Sequence, residues 1–328
     1  MSQFHHSIRP FMKFQFTVAP NSNRRAMTTN LPRPRTRSSA RGPNTLWLLG
    51  PAMLVLIVWT QVPFLLSIYY SFQRYNLLYP DRKGFVGLAN FASLITDPIF
   101  RVSLIHTLVL VGSVLLVTVA VGLLLAVLFY QEFPGRALAR TLVISPFFVM
   151  PVVSALVWKN MLMHPVYGLF AWIANSLGFK PVDWLAQYPM LSIILIVSWQ
   201  WIPFAMLLTL TGLQSLSREQ LEAAKIDGAN AWQEFRYIIV PHLAQTLSVV
   251  IMLETIFLLT IFAEIYTTTS GGPGLETTTL PYLIYLKGFN DNNIGIASAG
   301  AVFAVILANL VAIFVLRLIG RNLQGARR

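Results

Sequence analysis

Six apolar runs, each near the roughly 20 residues a helix needs to cross a bilayer, dominate the chain. They extend from about Leu46 to Tyr70, Ile105 to Tyr130, Thr141 to Met161, Met190 to Leu213, Ala244 to Tyr266 and Gly295 to Leu318. Prolines fall inside several of them: Pro51 and Pro63 in the first, Pro146 and Pro151 in the third, Pro203 in the fourth. A membrane helix tolerates such residues where its neighbours shield the freed backbone groups, so the pattern predicts an all-α membrane bundle with internal cavities and a kink in the third run. Between the runs lie turn-rich loops. The Met163–Pro189 loop predicts a short interfacial helix at Phe170–Leu177 with a turn at Gly178, and the apolar stretch Leu280–Leu286 interrupts the last loop.

The polar segment between the fourth and fifth runs, Ser215–Pro241, has its own helical grammar. Ser217-Arg-Glu-Gln220 reads as a capping box, with a first helix running to about Ile226 and turning at Gly228, where a residue without a Cβ turns freely. Asn230 and Gln233 give a second capping signal. The helix they start carries Trp232, Phe235, Ile238 and Ile239 on one face and is expected to end at Pro241. That face suits either a groove on a partner or the base of the bundle, and Glu222 lies near the turn, placed to pair with a basic group or to cap the second helix.

Composition fixes the solvent. The 328 residues are 55% hydrophobic and 11% charged, with a mean hydropathy of +0.63, against about a quarter charged in soluble domains. The absence of cysteine removes disulfide frameworks and thiolate metal sites. A net charge of +12 does not imply nucleic acid, because eight of the 24 Lys and Arg precede Asn44 in a Pro, Ser and Arg-rich tail too polar to bury a core. Residues 1–44 are therefore expected to be a disordered basic tail that meets anionic lipid headgroups or holds the N-terminus inside, and 45–328 a six-helix membrane domain. The first run is too long for a signal-peptide core, and Met27 is an alternative start. With both termini cytoplasmic, 17 Lys and Arg lie inside and 7 outside, in line with the positive-inside rule; without the tail the difference falls to 9 against 7.

The Ser215–Pro241 segment resembles the EAA loop of ABC-importer permeases. Glu222, Ala223, Ala224, Gly228 and Ala229 fill the E-A-A-x-x-x-G-A places, with Asp227 before the glycine and Phe235 and Pro241 following. The resemblance covers the chain from about Leu46 to its end and implies the six-helix MetI-like fold. It also implies a coupling helix that docks on a separate ATPase. No G-x-x-x-x-G-K-[ST] loop occurs in the chain, so it cannot cradle ATP itself. The partners implied are two ATP-binding subunits that hold ATP and magnesium, a sister permease and an extracytoplasmic solute-binding protein. The chain itself is expected to be no enzyme and to hold no cofactor.

Polar groups at bilayer depth face cavities or other helices, which singles out Gln200, Glu254, Glu264 and Asn309. Gln200 and Asn309 equally suit helix–helix hydrogen bonding, Glu264 the outer interface, and Trp199 and Trp201 cannot both face inward with Gln200. His106, His164 and His242 are scattered and form no metal or catalytic set. The helices flanking the EAA loop carry substrate contacts in maltose-type permeases, and by that resemblance Gln200, Trp201, Phe204, Glu254, Leu258 and Ile261 fall in the substrate path. Ile265–Gly274, with Thr277–Thr279 and Tyr282–Tyr285, is similar to the first permease subunit of carbohydrate importers, and its Thr-Thr-Thr-Ser-Gly-Gly-Pro-Gly wording to sorbitol and mannitol permeases. Two rival classes lack their signatures: a secondary carrier needs inverted repeats and more coupling carboxylates, and a membrane enzyme needs a matched catalytic set. An ABC permease for a non-carbohydrate solute is the nearer alternative.

Overall fold

The computed structural model describes residues 45–325, which divide into two units between Val55 and Leu56. The basic tail over 1–44 and the choice between Met1 and Met27 lie outside the described residues.

Helix α1 (Thr45–Ser71) fills the first apolar run. From Leu56 onward its large side chains, including Ile57, Trp59, Leu65 and Leu66, are exposed, which only an apolar solvent or another subunit accommodates. A minimal hairpin, β1 (Gln73–Arg74) with β2 (Gly84–Phe85), follows, and α2 (Ala89–Thr96) ties it down. The Asn90 amide donates to the carbonyls of both Ser71 and Gln73 at 2.8 Å. Helix α3 (Pro98–Tyr130) starts well ahead of its apolar run. Asp97 accepts the Ile99 amide at 2.9 Å, and Pro98 occupies a first-turn position where an amide would be orphaned anyway.

The third run is not one rod. Helix α4 (Arg136–Ile144) gives way to a tight turn at Ser145–Phe148, then α5 (Pro151–Val157) and a π-helical turn at Trp158–Leu162, with a bend of 106° between the two halves. Pro146 and Pro151 remove two backbone donors within little more than a turn, and their rings exclude a straight helix. Among the described residues, five helices are therefore long and apolar enough to span a membrane, or six if the bent pair is counted as one span. Short helices α6 (Leu169–Ser176) and α7 (Trp184–Gln187) lead into α8 (Pro189–Leu213), which keeps Pro203 inside it. The polar loop forms α9 (Arg218–Ile226) and α10 (Ala231–Glu234), then enters α11 (Val240–Leu258).

The fifth run also breaks. It leaves α-helix after Leu258, resumes as α12 (Ala263–Thr268), and is followed by α13 (Leu280–Tyr285) and α14 (Ile294–Gly325). At the break the amides of Thr260 and Ile261 tighten onto carbonyls three residues back, and the Thr260 hydroxyl donates to the Phe257 carbonyl at 2.7 Å, competing with the helical pattern.

Helices α3 and α8 pack along most of their length. Gly122 lets them approach: a Cβ there would lie 2.6 Å from the Ala205 Cβ and 3.0 Å from the Met206 amide nitrogen. Around this pair gather Leu258, Ile261, Ile265 and Tyr282, so the main core draws on α3, α8, α11, α12 and α13. At the N-terminal end of α3, Lys287 bridges Asp97 at 3.3 Å and Asp291 at 3.4 Å.

Candidate functional site

The loop between α8 and α11 folds as two short helices at an angle set by Gly228, whose φ of +81° lies in the left-handed region. Two of its sequence signals need correction. Ser217 does occupy the N-cap of α9, but its side chain makes no capping bond, so the first capping box is not closed. The second is complete: the Gln233 amide nitrogen of the main chain donates to Asn230 Oδ1 at 2.9 Å, and the Asn230 amide donates to Gln233 Oε1 at 2.8 Å. Asn230, not Glu222, caps the second helix.

Pro241 does not close the segment either. The chain runs helical from Ala231 to Leu258, with a π-helical turn at Phe235–Ile239 just ahead of the proline. The wider turn shifts the hydrogen-bond register where the proline lacks a donor and its ring would strike a carbonyl. This continuity joins loop to bundle: 28 residues at about 1.5 Å each make a rod of roughly 40 Å.

The apolar face of the π-helical turn faces the bundle, whereas Trp232, expected on the same face, does not join it. Phe235, Ile238 and Ile239 pack with Leu213, Leu216, Leu221 and Leu243. What stays outside is Glu222, Ala223, Asp227 and Gly228 on α9 and its turn, with Ile226 at 86% exposure, Trp232 at 68% and Tyr237 at 72%, while Ala224 and Ala229 are half-buried. An isoleucine and a tryptophan this open leave large apolar surface exposed at a polar loop.

A cavity of about 280 Å³ lies where the break after α11 meets α8 and the bent third run. Pro151, Gln200, Trp201, Phe257, Thr260, Ile261, Phe262, Ala263 and Glu264 line it. Gln200 is oriented by the bend. Its Nε2 donates to the Val149 carbonyl at 2.8 Å, and a carbonyl can only accept, so Oε1 is the free atom; it is buried with no partner. Trp201 packs on Phe257 with centroids 5.3 Å apart. Phe204 stands behind the wall, stacked on Phe147 at 5.6 Å and edge-on to Trp201. Trp199 turns to Trp158 instead.

Of the residues assigned to the substrate path, Gln200, Trp201 and Ile261 thus meet at the cavity, and Phe204 backs it. Glu254 and Leu258 do not line it. Glu254 is fully buried against α3, where Oε2 accepts the Thr118 hydroxyl at 2.6 Å and Oε1 has no partner; Leu258 is core. Glu264, read from the sequence as interfacial, is instead 2% exposed and lines the cavity. Asn309 bonds its own helix, donating to the Val305 carbonyl at 2.8 Å, and among the described residues it ties no second helix. Sequence reasoning missed Thr118, whose only signal is that Glu254 needs a partner. It also missed Phe257, Thr260 and Phe262, which a continuous helix would have sent elsewhere. Among the described residues no cluster of metal-ligating side chains occurs.

Residues 118–325 match the model of the binding-protein-dependent transport system inner membrane component family. The chain belongs to this family. The permease is 37% identical over 271 residues to the probable ABC transporter permease protein y4oQ of Sinorhizobium fredii, covering 81% of this chain and 86% of that one. It is 33% identical over 269 residues to the trehalose/maltose transport system permease protein MalF of Thermococcus litoralis, covering 81% and 89%. Its fold is that of a chain from a bacterial alginate ABC transporter solved with a pentasaccharide-bound periplasmic protein, at a TM-score of 0.71 and 24% identity over 84% of this chain and 95% of the other. The permease is accordingly a multi-pass membrane component with a transport role, and its bundle is MetI-like. The matched segment takes in Thr118, the loop, the cavity and α14.

Proposed function

We propose that this permease is one of two membrane subunits of an ATP-driven importer for an uncharged polyhydroxy solute, a sugar or a polyol such as sorbitol or mannitol. Both termini face the cytoplasm. Two ATP-binding subunits, which hold the ATP and magnesium, dock on the loop at Glu222, Ala223, Ala224, Asp227, Gly228 and Ala229, and a solute-binding protein delivers cargo from outside to a sister permease and this chain. The reading is carried by one observation: the helix that begins in the exposed loop at Ala231 reaches Leu258, next to the cavity residues Thr260 and Ile261. Motion imposed on the loop by nucleotide-driven closure is transmitted along a rigid rod to the cavity wall, which is alternating access in mechanical form. Phe235 and Pro241 serve that rod, Phe235 by seating it on the base cluster and Pro241 by fixing the π-helical turn.

A free amide oxygen, a carboxyl group and aromatic walls suit hydroxyls and C–H faces, and support for the sugar comes from the named cargo of the trehalose/maltose relative. At about 280 Å³ the cavity lies just below the roughly 300–1,000 Å³ of small-molecule sites, room for one sugar ring or one hexitol.

The chain has no cysteine, so Glu222→Cys gives a single reporter in the native background. A membrane-impermeant maleimide is expected to label it in inside-out vesicles and not in intact cells, and the assembled ATP-binding subunits are expected to protect it. Labelling from outside, or no protection, refutes the docking assignment.

A further inference from the structure

We infer that Glu264 is a specificity-determining residue that commits the cavity to cargo without negative charge. The inference rests on the import reading above and names a residue that sequence alone placed at the membrane interface.

Three features carry it. The first is placement. Glu264 is 2% exposed and yet lines the same cavity as Gln200, which the bend orients. The two polar groups come from α12 and α8, so a ligand in the cavity meets polar groups from two helices. Gln200 Oε1 is buried without a partner; a buried acceptor left unsatisfied is costly, and a cargo hydroxyl relieves that cost.

The second is charge. Among the described residues no Lys, Arg or His lines the cavity, and no ion pair reaches Glu264. The nearby cation is committed elsewhere: Lys159 donates to the carbonyls of Thr267 and Thr268 at 3.1 and 2.8 Å, at the end of α12. An anion entering here gives up its hydration and meets a carboxyl group and an amide oxygen, with no cation to pair with. A neutral hydroxyl donates to the same two groups.

The third is rigidity. Helix α12 packs on α5, the Thr268 hydroxyl donates to the Glu264 carbonyl, and Lys159 holds the helix end. The turn that carries Glu264 is therefore braced at its backbone, which keeps the residue at the cavity wall.

The test uses the assembled transporter with its partner subunits and follows ATP-dependent uptake of sorbitol, glucose and trehalose, with gluconate and glucuronate as anionic counterparts of the first two. Wild type is expected to import at least one neutral solute and to disfavour the anions about tenfold or more, the scale set by one unpaired buried charge. Glu264→Leu is expected to cut neutral uptake at low concentration about tenfold at equal membrane abundance. Glu264→Gln, which keeps the shape and adds an amide donor, is expected to narrow the neutral-to-anion ratio, a change that misfolding does not produce. Anions imported as well as their neutral counterparts, an unchanged ratio in Glu264→Gln, or normal uptake in Glu264→Leu overturns the inference and leaves the import reading standing. ATP-dependent uptake of none of the five overturns the import reading, and the Glu264 inference falls with it.

Discussion

Replacing Gly228 by valine tests the coupling loop directly. The glycine sits at φ +81°, and a Cβ built there meets no atom within 4 Å, so the substitution introduces no collision and its cost is torsional. An L-residue in the left-handed region loses about 1–2 kcal/mol, and a β-branched one lies at the upper end. The strain is comparable with what holds the turn in place, because α9 is anchored to the base cluster through Leu221 alone among its described side chains, and burying one leucine contributes about 1.5–3 kcal/mol. The native turn is then depopulated by a factor of about 5–30, and Glu222, Ile226 and Trp232 lose their mutual geometry. Gly228→Asn is the control, since asparagine visits this region at lower cost. The assay is ATP-dependent uptake, normalised to the amount of permease in the membrane, together with co-purification of the ATP-binding subunits on the tagged chain. Uptake and co-purification are expected to fall about 5–30-fold for valine and distinctly less for asparagine. Wild-type values for Gly228→Val, at equal abundance, would refute the idea that this turn sets the docking geometry.

Two packing predictions follow from the bundle. Gly122→Val forces a Cβ against the Ala205 Cβ and the Met206 main chain, neither of which rotates away. It is expected to cost about 1–3 kcal/mol or more, seen as a lower thermal midpoint of the detergent-solubilised transporter; an unchanged midpoint means α3 and α8 do not approach this closely. Thr118→Val strips the buried Glu254 of its one hydrogen-bond partner and is expected to cost about 1–3 kcal/mol. Because replacing both members of a buried polar pair is nearly neutral, adding Glu254→Leu is expected to restore much of the loss, and additive losses in the double variant contradict the pairing.

Much of the loop was legible because its signals are local. A glycine before a turn, and an asparagine three residues ahead of a glutamine, state their hydrogen bonds within one turn of chain, and both hold at Gly228 and at Asn230–Gln233. Ser217 shows the limit: the same spacing to Gln220 leaves its side chain without a cap bond. Prolines were legible as perturbations and not as outcomes. Pro203 is absorbed within α8, Pro241 sits in the first turn of a continuing helix, and Pro146 with Pro151 folds the third run back by 106°. Each result depends on whether neighbouring groups or a register shift accommodate the missing donor, which no local window contains.

The sequence by itself determined the solvent, the approximate positions of the apolar runs, the polar loop and its turn, and the family that loop points to. Transfer free energies add residue by residue along a run, so no knowledge of neighbours is required. Only the tertiary structure decided that Glu254 reaches Thr118 across 136 residues of chain, and that the helix break after Leu258 turns Ile261 and Glu264 into a cavity shared with Gln200. Buried polar groups take whichever partner packing brings within about 3 Å, and that distance is a property of the assembled bundle.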